Sequence, residues 1–306
     1  MAEFRVPATD DNSVILTNDE ASCSKKFAVS LGYWKDPYIK CMCKQSQIRK
    51  TPEISRGYFG RVFVIRSLVE QFVKAHSRNC QIVSVGAGYD TLYWNLSASG
   101  LSPQKYVEVD FPSVTRIKTT IIHSKEEQLL KALGNADLRN LQHLDTQLKL
   151  PSVGLDLNVP TLFLAECVLM YMPEKECDGL LSYFSQTFTN SHFISYDVIN
   201  MSDRFAEVMK SNMGSRRCTL YTDDCSTAQA QRDRFSRNGW ATSVVENMES
   251  LYQLIDSSER SRVEKIEMLD EVHLLSELMV HYCICLATNT DNLLLSFHNL
   301  TTTIGS

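Results

Sequence analysis

No Gly-x-Ser-x-Gly elbow occurs anywhere in the 306 residues, which removes the common α/β-hydrolase route to a serine nucleophile. Basic excess is missing as well. The 31 Lys and Arg stand against 36 Asp and Glu, a net charge of −5, so the electrostatic footprint of a nucleic-acid binder is absent and no nucleic-acid partner is expected. Zinc-ribbon spacing is lacking too. Of the 10 cysteines, Cys41 and Cys43 are too close together, as are Cys283 and Cys285, and no histidine pair completes a ligand set. Cysteines scattered in this way read as reduced thiols of a cytosolic protein, several of them small core residues, so a cytoplasmic location and no metal are expected. Long apolar runs are also absent. Pro160–Met172 is the most apolar stretch, but Glu166 interrupts it and it is too short to cross a bilayer. Met1–Asn12 lacks the apolar segment of a signal peptide, so no membrane partner is expected and the sequons at Asn95 and Asn299 carry no weight. No internal repeat or low-complexity run appears.

What is present is a large apolar complement, 43% of residues, enough for a substantial core. Residues 1–22 are polar and aperiodic and read as a flexible tail. From Ser24 an aromatic-rich helical segment carries Phe27, Leu31, Tyr33 and Trp34, then Tyr38 and Ile39, broken at Pro37. Arg56–His76 follows as a helix with a broad apolar face. Strand and helix patterns then alternate: Gln81–Val85, Tyr106–Asp110, Thr161–Ala165 and His192–Ile199 read as strands, with helices such as Lys175–Phe188 between them. That alternation predicts a doubly wound α/β fold with a mostly parallel sheet. Ser202–Arg217, with Ser202 as N-cap, and Gln229–Asn238 read as helices of a lid insertion between strands. Glu267–Met279 is amphipathic, and His281–Thr288 reads as an antiparallel edge strand. The expected organisation is a tail (1–22), one domain (23–288) and a C-terminal tail (289–306). Within the domain, 23–78 is a helical cap, 79–199 a cofactor-binding core, 200–240 the lid and 241–288 the last part of the sheet.

The sharpest local signal is the apolar strand running into Val85-Gly86-Ala87-Gly88-Tyr89-Asp90-Thr91 and a following helix. Glycine turns the chain tightly and lets a ligand approach the main chain. Asp110 ends the next strand, near the spacing at which an acid reaches the hydroxyls of a ribose. The pair predicts a nucleoside site. A dinucleotide turn calls for a third glycine where Thr91 stands, whereas S-adenosylmethionine has no pyrophosphate and needs only two. The bland alternative is a tight strand–helix turn with no ligand. Glu166 closes the third strand. It is either a carboxylate paired inside the fold or a cofactor contact, because an unpaired buried carboxylate is costly.

The chain resembles the leucine carboxyl methyltransferase family. The resemblance is carried by Lys25 to Trp34, by Asp36-Pro37-Tyr38, by Pro52-Glu53-Ile54, and by Arg56-Gly57-Tyr58-Phe59 with Arg61. It continues in Val85-Gly86-Ala87-Gly88, Glu108 to Pro112, Ala136-Asp137-Leu138-Arg139, and Ala165 to Leu169 with Tyr171-Met172. Asn200-Met201, Asp203-Arg204-Phe205 and His281-Tyr282-Cys283 complete it. The resemblance implies a class I methyltransferase fold using S-adenosylmethionine. The implied acceptor is the C-terminal leucine carboxylate of the protein phosphatase 2A catalytic subunit. It implies that Lys25 and Arg61 hold the methionyl carboxylate and that Gly86 lies along the cofactor. Asp110 would accept from the ribose, Asp137 and Leu138 would border the adenine, Glu166 would contact the cofactor near the pocket mouth, and Tyr171 would sit beside the acceptor. The stretch between Asp110 and Asp137 is shorter than the family pattern and the residues after Thr288 diverge from it. Two alternatives follow: a methyltransferase-like binding module without turnover, and a methyltransferase for another carboxylate.

Overall fold

The computed structural model describes residues 10–43, 49–125, 134–135, 141–149, 153–222 and 226–301. In chain order the helices before the sheet are α1 (Asp11–Leu31), α2 (Ile39–Met42) and α3 (Pro52–Ala75). Next come β1 (Gln81–Val85), α4 (Leu92–Ala98), β2 (Lys105–Asp110), α5 (Pro112–Ser124), β3 (Gly134–Asn135) and α6 (Leu141–Leu148). Then follow β4 (Thr161–Glu166), α7 (Glu174–Thr187), β5 (Ser191–Val198), α8 (Arg204–Ser215) and α9 (Ala228–Arg237). The chain closes with β6 (Thr242–Asn247), α10 (Met248–Leu254), α11 (Ser257–Glu264), α12 (Val272–Val280) and β7 (Tyr282–Thr288).

The strands form one seven-stranded sheet in the order β3-β2-β1-β4-β5-β7-β6. All neighbours are parallel except β7, which runs antiparallel to both β5 and β6. Buried strands with alternating outlook feed two cores. Ile82, Leu162, Leu164 and Ile194 face Phe59, Phe63 and Phe72 of α3. Val83, Val107, Phe163 and Phe193 face Leu180 and Phe184 of α7, where Phe163 and Phe184 stack at 3.9 Å. Covering both faces is what allows β1 and β5 to be apolar or fully buried throughout. The strand order reverses direction between β1 and β4. Crevices for ligands open at such a switch point, beyond the carboxyl ends of the strands.

Several expectations are corrected. The expected tail is, from Asp11 onward, the first half of α1. Asp10 caps it by accepting from the Asn12 amide at 3.1 Å, and Ser22 to Lys25 are buried. Polar residues form helix there because that helix packs against the rest of the molecule, so intrinsic hydrophobicity is not what holds it. The same helix stops at Gly32, not Pro37: Gly32 has φ +91, and its amide caps the Ala28 and Val29 carbonyls. The 200–240 segment divides. Helix α8 opens with Asp203, not Ser202, as N-cap, and reaches the cavity described below through Met209 and Met213. Helix α9 instead buries Gln231, Arg234 and Phe235 against the sheet and is part of its wall. Strand β7 is not the edge; β6 lies outside it. Gly134–Asn135 forms a two-residue strand beside β2. After Thr288 the chain packs back: Leu295 and Leu300 enter the core, and the Gln71 amide donates to the Ser296 and Asn299 carbonyls.

Candidate active site

The turns that follow β1, β2 and β4 meet under α1 and enclose a cavity of about 360 Å³, within the size range of small-molecule sites. At the end of β1 the chain bends through Gly86 (φ +60) and Gly88 (φ +51). Two neighbours crowd this bend. A methyl group on Gly86 would lie 2.4 Å from a Val168 methyl, and one on Gly88 would lie 2.5 Å from the Asn18 side-chain oxygen. Glycine is therefore required twice over, by dihedral angle and by space.

Asp110 stands one strand away. Its Oδ2 accepts from the Gly88 amide at 2.6 Å and its Oδ1 from the Phe111 amide at 2.7 Å. Burial raises its pKa, and the two amides pull in the opposite direction without cancelling the rise. A carboxylate oxygen accepts about two bonds, so each retains capacity for a hydroxyl.

The cations sit across from this acid. Lys25, on α1, places Nζ 2.8 Å from Asp90 and 3.9 Å from Glu166. Burial favours the neutral amine, but the two carboxylates outweigh it and raise the lysine pKa. Asp90 is the mirror case: desolvation raises its pKa, but Lys25, with help from Lys118 and the Leu92 amide, outweighs it and lowers the pKa. From α3, the Arg61 Nε donates to Glu166 at 2.7 Å, and the guanidinium carbon lies 4.5 Å above the Tyr196 ring. Glu166 is an internally paired carboxylate, and it also lines the cavity.

Beyond Glu166 the backbone turns through Cys167 at φ +56, unusual for a side-chain-bearing residue. Its amide is held by the Tyr196 carbonyl at 2.8 Å, and its sulfur lies 3.5 Å from Arg61 Nη1. This turn brings Val168 over Gly86 and leads into the single 3₁₀ turn Leu169–Tyr171. Burial raises the Tyr171 phenol pKa.

Lys25, Arg61, Gly86, Asp110, Glu166 and Tyr171 thus line one cavity. Asp137 and Leu138 lie outside the described residues. Sequence reasoning missed Asp90, although it sits inside the glycine motif. It also missed the inner face of α1 (Val14, Asn18, Ala21), hidden in what read as a tail, and Tyr58, Tyr196 and Tyr282, which looked like core aromatics.

The sequence matches the leucine carboxyl methyltransferase profile over residues 13–185, more than half of the chain. It is 39% identical to leucine carboxyl methyltransferase 1 of Rattus norvegicus, covering 91% of this chain and 90% of that protein. The homolog from Arabidopsis thaliana is 34% identical, covering 94% and 92%. A tRNA wybutosine-synthesizing protein 4 of Rattus norvegicus is 33% identical over 90% of this chain, but only 44% of that longer protein is covered. Among solved structures, a DUF574 family protein from Streptomyces avermitilis superposes with a TM-score of 0.58 at 14% identity, covering 87% of this chain and 97% of its own.

Proposed function

The chain belongs to the leucine carboxyl methyltransferase family, and from that premise we propose that it transfers the methyl group of S-adenosylmethionine to the C-terminal leucine carboxylate of the protein phosphatase 2A catalytic subunit. The observation that carries the cofactor part is the convergence of Gly86 and Asp110, from neighbouring strand ends, on one cavity that also receives Lys25, Arg61 and Glu166.

These residues fit the group. Asp110 keeps lone pairs for two ribose hydroxyls after its amide bonds are counted. The glycine bend offers main chain without side chains. Lys25 uses one bond on Asp90, and Arg61 uses its Nε on Glu166, so both retain donors for a methionyl carboxylate. When bound, the cofactor supplies a methyl group activated by a sulfonium, which leaves as a neutral thioether.

The protein's own task is then modest. A C-terminal carboxyl group, with a reference pKa of roughly 3.3–3.7, is ionised at neutral pH and needs no general base. The acceptor oxygen forms the new bond to carbon, and no proton changes hands. What the site must do is align the acceptor and exclude water, and alignment alone can be worth about 7–11 kcal/mol in favourable intramolecular systems. Tyr171 borders the acceptor in this reading, and α1 and α8 supply the walls that keep water out.

Incubation with labelled S-adenosylmethionine and purified phosphatase catalytic subunit tests the reading. Label is expected on the native subunit and not on one lacking its terminal leucine; equal labelling of both would overturn the proposed acceptor. Calorimetric titration with S-adenosylmethionine is expected to give one site per chain. No heat of binding would favour the module without turnover.

A further inference from the structure

The cavity runs along the carboxyl edge of the sheet. Asp110 closes β2, Gly86 follows β1, Glu166 closes β4, Tyr196 lies opposite Glu166 on β5, and Tyr282 opens the antiparallel β7 at the same edge. With strands about 4.8 Å apart, Tyr282 lies four intervals, about 19 Å, from Asp110. If the nucleoside end sits at Asp110, an acceptor enters from the β5–β7 end.

That end has a distinctive chemistry. Among the described residues lining the cavity, the cationic side chains are Lys25 and Arg61, and both are already ion-paired with Asp90 and Glu166. Cys167, Met170, Tyr171, Met209 and Tyr282 share one apolar cluster there. The hydrogen-bonding groups this cluster offers include the phenols of Tyr171 and Tyr282, and neither makes a hydrogen bond to another described residue. The Tyr282 ring is fixed in orientation: it stacks on Tyr196 at 5.3 Å and 16°, and Tyr196 in turn lies under the Arg61 guanidinium.

We propose that Tyr282 is a substrate-positioning residue whose phenol, with that of Tyr171, donates to the acceptor carboxylate. This rests on the carboxyl-methylation reading above and names a contact that reading leaves open. Neutral donors suit this role. A carboxylate that must give up its charge as it takes a methyl group is held back by a fixed cation at its side. A phenol orients the carboxylate at smaller cost to its nucleophilicity, and hydrogen bonds to an ionised acceptor are the stronger kind. Burial pushes both phenol pKa values up, so they remain proton donors throughout the neutral range.

Tyr282→Phe keeps the ring stack and removes only the hydroxyl. The variant is expected to bind S-adenosylmethionine within about twofold of the parent while its KM for the phosphatase catalytic subunit rises about tenfold or more, the scale of a hydrogen bond to a charged group. Direct binding of the subunit without cofactor is expected to weaken by the same factor, and the loss should vanish for a subunit lacking its terminal leucine. Unchanged subunit affinity, or an equal loss toward the truncated subunit, overturns the assignment. The two readings separate cleanly. If the parent protein labels native and truncated subunits alike, the acceptor reading fails and takes this one with it. If the parent discriminates and Tyr282→Phe matches it in KM, only the Tyr282 contact fails.

Discussion

Replacing Gly86 with alanine imposes two separable penalties. Gly86 sits at φ +60, where an L-residue pays about 1–2 kcal/mol. The new methyl also meets a Val168 methyl at 2.4 Å, with a second at 3.4 Å. Val168 cannot easily yield, because β-branching restricts its rotamers and the preceding residue, Cys167, is held by the Tyr196 carbonyl. Overpacking of this kind costs about 1–3 kcal/mol. The single variant should therefore lose about 2–5 kcal/mol. Val168→Ala removes the obstruction and leaves the dihedral cost. In a double-mutant cycle followed by urea denaturation, the Gly86→Ala/Val168→Ala protein should be more stable than the sum of the singles predicts, by about 1–3 kcal/mol. Additivity within about 0.5 kcal/mol would refute the close-contact argument. Calorimetry on the double variant then isolates the cofactor: affinity equal to the parent's would mean that bare main chain at 86 is not what a nucleoside needs.

Three further outcomes follow from the same geometry. Asp110→Ala should weaken S-adenosylmethionine binding by at least tenfold in calorimetric titration, one charge-assisted hydrogen bond being worth about 1.5–3 kcal/mol, and unchanged affinity would remove the ribose assignment. Tyr171→Phe should lower turnover in the labelling assay more than it lowers cofactor affinity; the reverse pattern would place Tyr171 at the cofactor. His192 is fully buried against the rings of Phe72 and His76, with neither ring nitrogen hydrogen-bonded to a described residue, and burial followed by His76 lowers its pKa from 6.5 to about 4. Its folded pKa is depressed, so the unfolded chain takes up the proton first and stability drains away as pH falls from 6.5 toward 4, by about 3 kcal/mol. In denaturation curves taken across that range, His192→Phe should lose correspondingly less stability than the parent, and parallel pH profiles would contradict the buried-neutral account.

How much of this was legible depended on whether the signal was local. Strands β1 and β4 announced themselves as short apolar runs, because burial on both faces demands it. Strand β6 did not. In Thr242–Asn247 only Val245 is buried, and an edge strand with one buried residue has no period to read. Helix α1 was hidden for a related reason. Its first turns are held by the Asp10 cap and by packing across the glycine bend, where Asn18 meets Gly88, and periodicity cannot register contacts that remote in sequence. The site shows the same division. Gly86, Asp110 and Glu166 are marked by strand ends. Lys25 and Arg61 came only from family likeness, because a lysine on a helix carries no local mark of what it faces. Tyr196 and Tyr282 pass for core residues until the antiparallel pairing of β7 with β5 places them on the cavity edge.

The charges around the cavity also dictate which substitutions are informative. Lys25 is joined to Asp90, Arg61 to Glu166, and, just behind the glycine bend, Lys118 to Glu108 at 2.6 Å, all largely buried. Burial drives the Glu108 pKa up to about 7 despite its lysine, the nearby Asp90 and Asp110 adding to the rise. Removing one member of such a pair leaves the other charged and desolvated, a loss of about 3–5 kcal/mol in comparable pairs. An inactive Lys25→Ala or Arg61→Ala protein would therefore report on folding as much as on the methionyl carboxylate. Tyr171 and Tyr282 carry no charge, and their neighbours are not ion-paired through them. Changes there leave the electrostatic frame intact, so a loss of function can be assigned to the contact that was removed.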